Sequence, residues 1–211
     1  MSAADTFPRL LREHAAEHPG RHALREKRYG IWQPISWAEY EQRVRRFAEG
    51  LATLGLERGE TIALLGDNRP EWLIAELAVQ SLGGSSLGLY PDGGVEEVAH
   101  VLTQAQVRFV LAADQEQVDK LVELMHRGAI DTVEQVIYYD SRGLKGYQQP
   151  YLIDFADVER SGAERAPGWW GSRSARAGPR TSRSCARPRA RPASRSWRCS
   201  PTRACCGWRR A

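Results

Sequence analysis

Cysteine is missing from the first 165 residues; Cys185, Cys199, Cys205 and Cys206, the chain's four, all lie from Ala166 onward. No disulfide can therefore staple the front of the chain, which suits a reducing compartment. Also missing is any apolar run long enough to cross a bilayer. The best stretch, Trp72 to Leu82, is broken by Glu76 and Gln80. The first residues, MSAADTFPRLLREH, hold no apolar core of a signal peptide, so a cytoplasmic protein is expected.

The last 46 residues lack much more. From Ala166 to Ala211 there is no Leu, Val, Ile, Phe, Met, Tyr, Lys, Asp, Glu, Asn, Gln or His. A segment without aliphatic side chains cannot bury a core, so residues 166–211 are expected to be a disordered tail. That tail holds 12 Arg and no acid, a charge of +12. The whole chain is +4, which leaves −8 for residues 1–165. The front is thus mildly acidic, and the back alone carries the basic character.

Within residues 1–165, apolar periodicity alternates between helix and strand. Phe7 to His18 reads as an amphipathic helix with Phe7, Leu10, Leu11 and Ala15 on one face, stopped at Pro19-Gly20. His22 to Ser36 reads as a hairpin turning at Tyr29-Gly30, with Ile31, Trp32 and Ile35 as its apolar weight. Ser36, followed three residues later by Glu39, opens a capping-box helix carrying Tyr40, Val44, Phe47, Leu51 and Leu54. Strands are expected at Glu60–Leu65, Leu87–Tyr90, Val107–Ala112 and Val133–Tyr139. Helices are expected from Asp67 or Asn68 to Gly83, over Val95–Gln104 and over Gln115–Arg127. Tyr151 to Val158 suggests one more short strand turning into a helix. Such alternation implies an α/β fold with a mostly parallel sheet covered on both faces.

Chemistry is scarce in this front piece. Gly83-Gly84-Ser85-Ser86 and Asp92-Gly93-Gly94 are Gly-rich but have neither a G-K-[ST] end nor G-x-G-x-x-G spacing. They read as a helix cap and a turn. His14 and His18 stand four apart on a helix, yet no third ligand or HExxH pattern accompanies them. Trp32, Trp37 and Trp72 read as core anchors, and Arg43, Arg45 and Arg46 as an exposed face. No catalytic, cofactor-binding or metal residue is assigned.

The order of these elements resembles the N-terminal region of the adenylate-forming (AMP-binding) acyl-CoA synthetase superfamily. The resemblance rests on Ile35-Ser36-Trp37-Ala38-Glu39-Tyr40, Ala48-Glu49-Gly50-Leu51, Leu54-Gly55-Leu56 and Arg58-Gly59-Glu60-Thr61-Ile62-Ala63. It continues through Asn68-Arg69-Pro70-Glu71-Trp72, Leu82-Gly83-Gly84, Glu97-Val98 and Val107-Arg108-Phe109-Val110. Tyr29-Gly30-Ile31-Trp32 and Glu116 to Leu121 look most like the long-chain fatty acid branch. The resemblance covers residues 5 to about 140 and implies a fold, the first part of the large domain of an adenylate-forming enzyme. It also implies a family activity: ATP- and Mg²⁺-dependent conversion of a fatty acid to an acyl-adenylate, then transfer to coenzyme A. Fatty acid, ATP and coenzyme A are the implied partners, with peripheral membrane contact by the full-length enzyme and no specific protein or nucleic-acid partner. The phosphate loop, the adenine and ribose contacts and the catalytic Lys follow the matched region in that family. None of them can be quoted from this chain, so no site residue carries over.

The tail suggests where they went. Its eight residue types, Ala, Pro, Ser, Thr, Arg, Gly, Cys and Trp, can all be encoded with G or C at the second codon base. A GC-rich gene read one base late moves its wobble base into that place. Opposite Pro188 to Ser196 (PRARPASRS), such a shift admits T-S-G-T-T-G-K-P-K, the family's phosphate loop. The expected organisation is therefore a partial AMP-binding domain over residues 1–165, then an out-of-frame tail over 166–211, inactive by itself. The alternative takes the tail at face value, as a nucleic-acid-binding segment in which 12 Arg neutralise phosphates and Trp169, Trp170, Trp197 and Trp208 stack on bases. A zinc module is disfavoured, because the four tail cysteines lack CxxC spacing and the tail has no His.

Overall fold

A computed structural model of the chain describes residues 6–164. The expectations for the tail lie outside the described residues. Helix α1 (Phe7–Glu17) precedes a hairpin of β1 (His22–Arg28) and β2 (Ile31–Ser36), and α2 (Trp37–Thr53) follows. Then come β3 (Thr61–Leu65), α3 (Pro70–Ser81), β4 (Ser85–Leu89), α4 (Val95–Gln104), β5 (Phe109–Ala112) and α5 (Gln115–His126). The described chain closes with β6 (Gln135–Tyr138), a 3₁₀ turn at Leu144–Gly146, β7 (Leu152–Asp154) and α6 (Phe155–Ala163).

Strands β3 to β7 form one parallel sheet in the order β4-β3-β5-β6-β7. The middle strand β5 is apolar at every position, as β3 is from Ile62 onward, because both faces are covered. Ile62, Leu64, Phe109, Leu111 and Ile137 point into a core shared with α1, α2, α3 and α6. Their neighbours Ala63, Leu65, Val110, Ala112 and Val136 point the other way, into a core shared with α4 and α5. Side chains that alternate along a strand thus feed two cores.

Local signals explain most boundaries. The Ser36 side chain accepts a hydrogen bond from the Glu39 N–H at 3.2 Å, starting α2 where the capping box placed it. Asp114 and Asp154 cap α5 and α6 in the same way. Tyr29 and Gly30 both take positive φ, 48° and 81°. That is the two-residue turn whose twist suits a hairpin.

Four expectations are corrected. Arg69, not Asp67 or Asn68, occupies the N-cap of α3 and offers no side-chain cap; Pro70 and Glu71 fill the first turn as expected. Strand β5 begins at Phe109, because the Val107 N–H is spent on the Leu102 carbonyl closing α4. Of the apolar face expected for α1, Leu11 is buried, together with Pro8, but Phe7 and Leu10 are exposed. Trp32 is 61% exposed and anchors no core, whereas Trp37 and Trp72 pack against the α2–α3 side.

Helix α6 crosses α2 closely, with the Phe47 and Phe155 rings stacked 4.1 Å apart. Gly50 and Gly162 make the approach feasible. A methyl group on Gly162 would collide with the Arg46 carbonyl, and one on Gly50 with the Val158 backbone. Backbone cannot yield as a flexible side chain can, and overpacking of this kind costs about 1–3 kcal/mol. Gly162→Ala is expected to lower the denaturation midpoint by that order in a urea titration followed by circular dichroism. Gly146→Ala, where nothing lies within 4 Å, is expected to leave the midpoint in place.

Candidate functional site

In a parallel α/β sheet the strands' C-terminal ends open into loops where ligands dock. Two clefts lie there. The first, about 520 Å³, is lined by the loop after β3 (Gly66, Asp67, Asn68), by Trp72 of α3 and by the segment after β4 (Tyr90, Pro91, Asp92). Gly66 forms part of its floor: a Cβ there would meet the Ala113 methyl at 2.5 Å and the Tyr139 hydroxyl at 2.7 Å. The second cleft, about 620 Å³, lies between the hairpin (Glu26 to Tyr29) and the loop after β6 (Tyr139 to Arg142), with Arg69 in its wall.

Arg69 joins these elements. Its guanidinium sits 2.9 Å from Glu26, 3.7 Å from Asp140 and 3.9 Å from Glu71. It also lies over the Tyr139 ring, 5.3 Å from the centroid. Burial pushes the Tyr139 phenol up, against the lowering influence of Arg69, so the phenol keeps its proton and donates it to the Asp67 carbonyl at 3.4 Å. One side chain thereby ties β1, the loop after β3, the start of α3 and the end of β6 together. Glu71, nearly buried in the first turn of α3, continues the chain of charges to Arg43 at 3.8 Å. Arg43 in turn pairs with Glu159 of α6 at 3.1 Å.

The sequence reading missed this network. Asn68-Arg69-Pro70-Glu71-Trp72 looked like a helix start, and pairing across 43 residues to Glu26 leaves no local signature. Arg43, Arg45 and Arg46 are likewise half-buried rather than an exposed face. The two Gly-rich segments lie at the helix end and the turn where they were expected. Gly83-Gly84 closes α3 and leads straight into β4, and Asp92-Gly93-Gly94 turns into α4. The His14 ring stacks on Trp37 at 4.7 Å. Among the described residues no cluster of three or more His, Cys, Asp or Glu could hold a metal ion.

The two Gly-rich segments do not fit nucleotide phosphates. A Cβ on Gly84 would meet the Glu60 carbonyl at 2.7 Å, and one on Gly93 the Tyr90 carbonyl at 3.1 Å. Both glycines serve close backbone packing, and carbonyl oxygens there would repel an anion. The linings of the two clefts show no nucleophile–base pair among the described residues.

A five-stranded parallel sheet covered by helices on both faces, with two clefts at its carboxyl edge, defines an α/β fold. The chain belongs to the AMP-binding enzyme family, which it matches over residues 11–167. It is 28% identical over 134 residues to long-chain-fatty-acid–CoA ligase ACSBG2 of Mus musculus, covering 64% of this chain and 20% of that protein. For the Homo sapiens ACSBG2 the figures are 27% over 156 residues, 74% and 23%. The chain thus spans about a fifth of the length of these relatives. Its fold is similar to the N-terminal domain of FACL13 from Mycobacterium tuberculosis, with TM-score 0.62 and 21% identity over 75% of this chain and 37% of that one. Among the described residues no helix is long and apolar enough to cross a membrane.

Two outcomes follow from the Arg69 cluster. Arg69→Met leaves Glu71 nearly buried with one cation fewer and is expected to cost about 1–3 kcal/mol, the range for an uncompensated polar group; urea denaturation measures it. Asp140 is held below the ordinary carboxylate range by hydrogen bonds from Arg142, with burial opposing them and Arg69 adding attraction. A depressed carboxylate stabilises above its unfolded value and loses that stability as pH falls through its folded value. Asp140→Asn is therefore less stable than the parent at neutral pH, and the two stabilities converge on acidification below the usual carboxylate range.

Proposed function

We propose that this chain is the first part of an AMP-forming acyl-CoA ligase acting on long-chain fatty acids, and that it catalyses nothing by itself. The observation that carries the reading is the family match over residues 11–167, together with relatives that are long-chain-fatty-acid–CoA ligases. In this reading residues 1–165 form a partial AMP-binding domain of a cytoplasmic enzyme. Residues 166–211 are its continuation read one base out of step. The whole enzyme uses ATP and Mg²⁺ to make the acyl-adenylate, then coenzyme A to accept the acyl group. Here the α/β sheet contributes one wall of the substrate region, and Arg69 fixes the loops along its carboxyl edge.

The division of labour follows from which residues are present. Adenylation needs donors around the phosphates and a cation to offset charge in the transition state. The described residues supply neither in a cradle. The purified chain is expected to release no pyrophosphate from ATP with palmitate, whereas the product of a frame-restored gene does so. Release by the unaltered chain would overturn the inactivity. Silence from a soluble, folded frame-restored product would overturn the substrate assignment or the shift itself.

A further inference from the structure

Strand β4 ends the sheet order, with β3 as its single strand neighbour among the described residues. The Ser85 N–H is spent on the Glu60 carbonyl, 2.9 Å away on the β3 side. Backbone groups of successive residues point to opposite sides of a strand, so Leu87 and Leu89 also bond toward β3. The N–H and C=O groups of Ser86 and Gly88 therefore point out of the sheet. Such a row recruits another strand unless charge, proline, a bulge or brevity prevents it. The segment Ser85-Ser86-Leu87-Gly88-Leu89 has no charge and no proline, and it pairs with β3 without a bulge. The opposite edge, β7, is only three residues long and ends in Asp154. Brevity and charge protect that edge, whereas β4 has neither.

The side chains around β4 suit a copy of the same strand. Leu87 and Leu89 are half-buried against the core shared with α4 and α5. Ser86 and Gly88 face α3, where the Ser86 hydroxyl reaches Glu76 at 3.5 Å and Gly88 lies under the Trp72 ring. Antiparallel pairing about a two-fold axis at Leu87 sets Leu87 against its counterpart and Ser86 against the second copy's Gly88. Leu89 then meets Ser85, and Tyr90, 87% exposed, meets Gly84, which has no side chain to obstruct the ring. Beyond them, Asp92 of each copy reaches the turn at Gly83 in the other, where Arg58 packs. Arg58 and Asp92 are both exposed, and neither has an ion pair among the described residues.

We propose that β4 is an interface for a second copy of this chain: two β4 strands pair antiparallel about Leu87 and join the two sheets into one. Backbone hydrogen bonds run between Ser86 and Gly88, and an Arg58–Asp92 pair closes each end. A second copy is the partner because the two ends of β4 carry opposite charges that self-pairing joins twice. The same register sets the exposed Tyr90 over a glycine. The inference rests on the sheet edge alone and is independent of the assignment of the enzyme's reaction.

Sedimentation of the 211-residue chain tests it, with reductant to keep the tail cysteines apart and about 0.3 M salt to screen attraction between the acidic front and the Arg-rich tail. A reversible dimer is expected. Hydrogen exchange of the Ser86 and Gly88 amides should slow at least about tenfold as the dimer fills. Leu87→Lys sets two like charges face to face on the axis and is expected to weaken association at least about tenfold. Arg58→Asp and Asp92→Arg alter exposed side chains, so the fold stays in place; each is expected to weaken association about threefold, and the double variant to restore it. A chain that stays monomeric at its highest soluble concentration overturns the proposal. So does a folded Leu87→Lys variant that associates like the parent, or a double exchange that restores nothing. Protection of Ser86 and Gly88 that does not change with concentration also overturns it, since a segment of the same chain would then cover the edge.

Discussion

Everything in the described part of the molecule depends on covering a parallel sheet on both faces at once. Strands β3, β5 and β6 put one set of side chains toward α1, α2, α3 and α6 and the alternate set toward α4 and α5. Neither layer can be omitted without exposing a row of aliphatic groups to water, and each fully buried Leu or Ile contributes about 1.5–3 kcal/mol. The close α2–α6 crossing follows from that demand. Phe155 and Val158 reach the sheet side of the core because Gly50 and Gly162 let the two helix backbones approach.

The same architecture places the loops that line both clefts. All five strands run in one direction, so the segments after β3, β4 and β6 gather along one edge, and Arg69 ties three of the neighbouring elements together through Glu26, Glu71 and Asp140. Among the described residues the Gly-rich segments serve backbone packing. The out-of-frame reading of the tail supplies the phosphate loop in the proposed account.

The fold was legible because its signals are local. The capping box at Ser36, the Tyr29-Gly30 turn and the Pro70-Glu71 start each act within a few residues, and the alternating cores are written into consecutive letters of ETIALL and VRFVLA. The site was hardly legible. Arg69 gains its meaning from partners in β1 and after β6, which only the folded chain brings near. Trp32 was misjudged for a similar reason: an aromatic residue in a strand looks like core until the ladder shows which face it takes. Boundaries slipped where a buried residue such as Val107 belonged to a turn rather than to the strand beside it.

The central claim is that one polypeptide carries an in-frame AMP-binding fold and, beyond it, the same gene read one base late. Sequencing the gene across codons 155–211 tests it most directly. The account predicts that the tail's own third codon position carries no wobble-type G/C bias from residue 166 onward, and that the shifted frame stays open and spells a Ser/Thr/Gly-rich phosphate loop opposite Pro188 to Ser196. A G/C bias at the tail's own third position, with stop codons in the shifted frame, would contradict it.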